Sequence, residues 1–296
     1  MEKLVIGVIR NYNFDQVEPW LNSLRMTGYD GEILVIDAST QPNIELKDVL
    51  TLMGVHYWHM VASGPQNFMV TRFILLYVAL AQYPFNSAKY VLTTDVRDVI
   101  FQEDPTSLMS RPRHVVIMDE GLTYQDEPWS MNNFIEVMGS SVYEEKKNHW
   151  IKCAGVIAGR RLLLRDLFLS IYTMSLGLQQ YPKGGGGPDQ TVMNIILGTE
   201  PWYEVVDYDD RILHAGTSRY AVLSGKGEIG FRYMQSEDKE KFMQAFLDLS
   251  MQAPASLKDG KIVSDKTGKP FTIVHQYDRV DEWRDLDKQY RKITNA

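Results

Sequence analysis

The chain has 296 residues, 44% of them hydrophobic, enough to bury a sizeable core in one large α/β domain. Its formal net charge of −7 at pH 7 and its pI near 5.4 argue against a nucleic-acid partner, which needs a basic face. The lone Cys153 excludes an intramolecular disulfide framework, no segment reaches the ~18 continuous apolar residues of a membrane span, and the start MEKLVIGVIR is too short an apolar run for a signal peptide, so a soluble, cytoplasmic chain without a transmembrane segment is expected.

In chain order, the first half alternates strand-like and helix-like segments with short breaks, the pattern of βαβ units around a mainly parallel sheet. Residues 4–9 read as the first strand. A helix follows with Val17, Trp20, Leu21 and Leu24 on one face and stops at Gly28. Residues 32–36 form a second strand that closes on Asp37; a short helix at 44–52 and a third strand at 55–58 come next. The helix at 67–82 carries Val70, Phe73, Ile74, Tyr77, Val78 and Ala81 at helical spacing, and residues 90–94 are the fourth strand. The second half is less regular. It offers strands at 115–118 and 155–158, helices at 162–178 and 191–197, and a strand at 271–274 that delivers His275, Gln276, Tyr277 and Asp278. The four glycines 184–187 lack side chains to restrict the backbone and lead into Pro188, Asp189 and Gln190, which reads as a mobile lid beside a fixed acid. The expected architecture is therefore α/β, a Rossmann-like mixed, mainly parallel sheet flanked by helices. Within one catalytic unit, residues 1–110 form the nucleotide-binding half, and residues 111–296 the acceptor half with a C-terminal metal-ligand segment.

The segment YVLTTDVRDVIFQEDP carries the chemistry. An apolar run that stops at Asp95 and Asp98 reads as a buried strand delivering two acids to one edge of the sheet, where open α/β folds bind ligands. Mg²⁺ or Mn²⁺ bridging two phosphates needs only one or two protein carboxylates beside water and phosphate, and this pair supplies them. The plainer alternative is that one acid caps a helix or pairs with Arg97.

These residues resemble those of the GT-A-fold nucleotide-sugar glycosyltransferases, in which an apolar strand ends in an Asp-x-Asp-type motif. Here the motif reads Asp95-Val96-Arg97-Asp98, one residue longer, a form similar to that of enzymes from algae, plants and large algal viruses. The order of further segments is glycogenin-like. IGVIRNY resembles the first strand and loop that wrap the nucleotide base, which implies Arg10, Asn11 and Tyr12 as donor contacts. Asp37 stands where the family uses an acid against base or ribose, and the helix of Arg72 where it sends a basic residue to the donor. CAGVIAG resembles the Asn-Ala-Gly-type strand, with Cys153 in the Asn place and Gly155 beside the sugar. GPDQTVMN resembles the Asp-Gln segment, and VHQYDR puts His275 where many members place a third metal ligand. The resemblance implies a metal-dependent enzyme, with Mn²⁺ or Mg²⁺ on Asp95, Asp98 and His275, that moves a sugar from a UDP-sugar to a hydroxyl of a glycan or glycoside. Asp189 is its candidate catalytic carboxylate. Asp95 is expected to contact donor and metal together, and which of the two acids ligates directly is open, with Asp98 slightly favoured.

Each assignment has a structural alternative. His275 is equally an edge-strand histidine; Asp37 equally starts a turn with Ser39 and Pro42. Arg72 either forms a buried salt bridge or meets the donor. Asp189 suits a helix N-cap, a position that would keep it ionised, and His214 in HAGTSRY serves either acceptor or structure. Two other functions share the acids: a sugar nucleotidyltransferase, though residues 4–13 lack its glycine- and arginine-rich signature, and a non-catalytic nucleotide- or glycan-binding module.

Overall fold

The computed structural model describes residues 1–61, 66–111, 114–217 and 254–291. The continuous apolar runs of the first half are strands covered on both faces, so neither face calls for polar residues. β1 (Lys3–Ile9) pairs in parallel with β2 (Glu32–Asp37) and β4 (Tyr90–Thr94), and β2 with β3 (His56–His59). Beyond β4 the direction reverses. β7 (Trp150–Arg160) runs antiparallel to both β4 and β6 (Val115–Thr123), and β8 (Val206–Tyr208) lies parallel to β6 at the edge. The seven-stranded order is β3-β2-β1-β4-β7-β6-β8, a mixed, mostly parallel sheet as the sequence predicts.

Side-chain alternation along β1 divides the core. Val5 and Ile9 point to the face covered by α1 (Phe14–Met26) and α2 (Ile44–Leu52), where Trp20, Leu24, Leu46 and Leu50 are buried. Leu4 and Ile6 point to the other face, covered by α3 (Phe68–Ala81), α7 (Arg161–Ser175) and α8 (Asp189–Leu197), where Phe73 packs on Phe168. The short α4 (Thr106–Met109) follows the motif segment, and α5 (Pro128–Met138) and α6 (Ser140–Lys146) stand between β6 and β7. A second sheet of three-residue strands, β5 (Val99–Phe101), β9 (Ile212–His214) and β12 (Ile273–His275), is ordered β5-β12-β9, and β10 (Ala255–Lys258) with β11 (Lys261–Ser264) forms a hairpin. Ile100, Leu213 and Val274 pack against Trp283 and Leu286 of the 3₁₀ segment Asp281–Tyr290.

Several boundaries differ from the sequence reading. The strand expected at 155–158 is the distal part of the 11-residue β7. The strand expected at 271–274 begins later and includes His275 itself. The glycine run is not a loose lid: Trp129 Nε1 donates to Gly184 O (2.8 Å), Asn133 Nδ2 to Gly185 O (3.2 Å) and Asn67 Nδ2 to Gly186 O (2.6 Å). Gly185 and Gly186 have φ of +89° and +78°, so here glycine serves a left-handed path that side chains then fasten. No described helix is long and apolar enough to cross a membrane.

Candidate active site

The motif segment passes the chain from one sheet to the other. Asp95 follows the last residue of β4 and its backbone N–H donates to Gly155 O of β7 (2.8 Å). Val96 and Arg97 turn the chain, and Asp98 precedes β5, its carbonyl accepting from Gln276 N (2.6 Å) while Val99 pairs with His275. The two acids are thus fastened to different sheets, which is what the extra residue of the motif spans. His275 meets them at the junction, its Nε2 3.3 Å from Asp95 Oδ2 and 3.7 Å from Asp98 Oδ1. One ligand atom from each of the three lies within 4.8 Å of the others.

Room for this junction comes from β7. The pairing of β6 with β7 jumps from Ile117↔Ile157 to Met118↔Cys153, so Ala154, Gly155 and Val156 bulge from that ladder. A Cβ on Gly155 would lie 2.5 Å from His275 Cε1 and 3.0 Å from Asp95 Oδ2. The glycine expected beside the sugar leaves room for the imidazole and the carboxylate.

Arg72, on α3, forks between the acids: Nη1 donates to Asp95 Oδ1 (2.6 Å) and Nη2 to Asp189 Oδ2 (2.8 Å). The salt-bridge reading of Arg72 holds, and that salt bridge lies inside the acid cluster. Asp189 is the first residue of α8 and not its cap; Pro188 holds that position and no side-chain cap bond forms. Nor does its place on the helix keep its pKa low. Burial lifts the Asp189 carboxyl above the usual carboxylate range, against the pull of Arg72.

The other groups divide by environment. Burial works against Asp95, but Arg72 and His275 outweigh it and hold its carboxyl below the usual range. Its side chain is 36% exposed, against 12% for Asp98, so Asp95 is the more open acid. Burial lifts Asp98, with Asp95 and Asp278 adding to the rise and His275 opposing it. For His275, burial disfavours the charge, yet Asp98, Asp95 and Cys153 raise its pKa well above the ordinary value. Its buried Nε2 has no hydrogen bond of good geometry among the described residues.

A cavity of about 120 Å³ adjoins the cluster, lined by Glu120, Trp129, Cys153, Gln190, His214 and Arg279 among others. Glu120, on β6, is buried, and burial together with Glu127 pushes its pKa up to about 8. Gln190 orients it: the amide Nε2 donates to Glu120 Oε1 (2.9 Å) while Oε1 accepts from Ala154 N (3.2 Å). Sequence reasoning missed Glu120. The signal was present, because β6 carries the same pattern as β4, an apolar run that reaches two acids, Asp119 and Glu120. His214 lies in the same wall; residues 218–220 of the HAGTSRY segment fall outside the described residues.

The remaining expected contacts lie along the edge and do not all join the cluster. The Tyr12 phenol is raised by burial, lowered by Arg97 and raised by Asp95 and Asp98, which puts its hydroxyl within electrostatic reach of the pair. Asn11, at φ +58°, donates its N–H to Ser39 Oγ (2.7 Å), and exposed Arg10 lies over the Phe68 ring. Asp37 is only 1% exposed. It accepts from Ser39 N (2.9 Å), Ser39 Oγ (2.5 Å), Asn43 N (3.3 Å) and Tyr57 OH (2.5 Å). Burial opposes its charge, but these bonds keep its pKa below the usual range. Its carboxylate is occupied as the anchor of the turn, and β1 separates it from β4.

No protein-family profile matches the chain, and no curated protein matches it in sequence. Among solved structures, the chain is similar to the apo structure of the bifunctional glycosyltransferase WbbM, with a TM-score of 0.55 and 12% sequence identity. The match covers 99% of this chain and 50% of that one, so the chain spans about half the length of the protein it resembles. The fold is thus a glycosyltransferase fold, a mixed α/β sheet flanked by helices.

Proposed function

We propose that the chain is a metal-dependent glycosyltransferase that moves a sugar from a nucleoside-diphosphate donor, a UDP-sugar, to a hydroxyl of a glycan or glycoside. The observation that carries this reading is the convergence, where β4 and β12 end, of two carboxylates, an imidazole and a forked arginine beside a polar cavity. The donor set fits Mn²⁺ or Mg²⁺, with two hard oxygens and an imidazole nitrogen that favours Mn²⁺. The buried, unsatisfied His275 Nε2 fits a ligand role. Asp95, as the more open acid, and Asp98 with His275 hold the ion, which when bound neutralises charge on the leaving diphosphate.

The chain's own residues supply the rest. Arg72 adds fixed positive charge beside the phosphates, and Asp189 sets the direction of its fork. In this reading Asp189 acts through Arg72 and not on the anomeric carbon. Glu120, held by Gln190, receives the proton of the acceptor hydroxyl, a task that suits a carboxylate with a pKa near working pH. Arg10, Asn11, Tyr12 and Gly155 flank the donor edge, and Asp37 shapes the loop that meets base and ribose. A thermal-shift screen of UDP-glucose, UDP-galactose and UDP-xylose, each with and without Mn²⁺, tests the assignment. One donor is expected to raise Tm only with Mn²⁺, and the shift should vanish in Asp95→Asn. Equal shifts with and without the metal, or none with any donor, would count against it.

A further inference from the structure

We propose that Cys153, His214 and His275 form a second metal site, for a thiophilic divalent cation of the zinc class, which shares the His275 ring with the carboxylate pair but uses its other nitrogen. The site does not depend on the glycosyl-transfer reading. Its geometry follows from register. β12 and β9 are parallel neighbours with His275 opposite His214, so both imidazoles project to the same face, ring centroids 5.3 Å apart. Cys153 of β7 faces them across the gap between the sheets, its Sγ 3.9 Å from His275 Nδ1. One ligand atom from each of the three lies within 4.8 Å of the others, and all three residues are buried. Tetrahedral zinc, with Zn–S near 2.3 Å and Zn–N near 2.0–2.1 Å, holds sulfur and nitrogen about 3.6 Å apart, so only a small closure is needed.

The surroundings set His214 up as a ligand. Thr217 Oγ1 donates its proton to Glu120 O (2.8 Å) and therefore accepts from His214 Nδ1–H (2.8 Å). That fixes the tautomer and leaves Nε2 with its lone pair bare, the outer-shell arrangement that metal-binding histidines use. A fourth ligand would come from solvent in the cavity that Cys153 and His214 line. A thiolate with two imidazoles selects zinc-like ions, whereas Asp95 and Asp98 select harder ones. On binding, the Cys153 thiol and the Nδ1–H of the His275 ring release their protons to solvent while Nε2–H stays toward the carboxylates, so the ring serves one ion at a time.

The test uses the full chain stripped of metal by chelator and titrated with Co²⁺. The wild type is expected to develop a near-ultraviolet thiolate-to-cobalt charge-transfer band with intense tetrahedral visible bands, saturating at one equivalent and erased by Zn²⁺. Cys153→Ser should lose the charge-transfer band, and Asp95→Asn should keep it. Thr217→Val, which removes the outer-shell partner of His214 together with the bond to Glu120 O, should bind Co²⁺ about 10- to 100-fold more weakly. A wild type that takes up no cobalt, or takes it up with weak octahedral colour and no thiolate band, would overturn the site. So would a band that survives Cys153→Ser or is lost in Asp95→Asn. Should far-UV circular dichroism show Cys153→Ser unfolded, unchanged affinity in Thr217→Val would overturn it instead.

Discussion

Gly155 has no side chain because His275 and Asp95 occupy the space a Cβ would need. Gly155→Ala should therefore push the imidazole off the carboxylates. Overpacking of this kind costs about 1–3 kcal/mol, so the variant should stay folded by circular dichroism yet lose Mn²⁺ binding in calorimetric titration. Glu120 gives the residue scale its pH dependence. In the unfolded chain a glutamate ionises near about 4.3, but in the folded protein this one keeps its proton up to about 8. The folded state then binds more protons than the unfolded one between those values, so stability falls as pH rises through that window. Glu120→Gln stays neutral and should flatten the curve, visible as a higher Tm than wild type at alkaline pH and little difference at acid pH. Its kcat should fall by about 10²- to 10⁴-fold, as expected for loss of a proton acceptor.

At the scale of elements, Asn67 ties helix to loop. Its side-chain oxygen caps α3 at Met69 N (3.0 Å), and its amide holds Gln180 O (2.8 Å) and Gly186 O (2.6 Å). Asn67→Ala should cost about 1 kcal/mol for the cap and speed hydrogen exchange in residues 182–188, while exchange in α7 stays as in wild type. The elements legible in the sequence were those with long periodic signals: β1, α1, β2 and α3 come from apolar runs that depend little on distant partners. β5, β9 and β12 have three residues each and exist because they pair with one another across the chain. Local pattern announced β12 only approximately, as a strand at 271–274, and β5 and β9 not at all. The glycine run misled for a related reason: its freedom is a local property, and its fastening by Trp129, Asn133 and Asn67 is not.

For the whole molecule, the candidate site is the seam between two sheets. Asp95, Asp98, Arg72, Asp189 and His275 were legible as a set, because acids at strand ends and a histidine after a strand are sequence patterns. Their arrangement was not, since it follows from the handover at Val96-Arg97 and from the bulge in β7. Asp37 stands outside the set, and its hydrogen bonds to Ser39, Asn43 and Tyr57 arise only once the turn closes. The cavity that holds Glu120 and His214 is likewise a product of packing. The central claim is that the seam binds metal and donor together for sugar transfer. The direct measurement is UDP release from a panel of UDP-sugars, with Mn²⁺ and with chelator, for wild type and Asp95→Ala. Release that requires Mn²⁺ and is lost in Asp95→Ala is the expected result; release undiminished by chelator, or by Asp95→Ala, would contradict the claim.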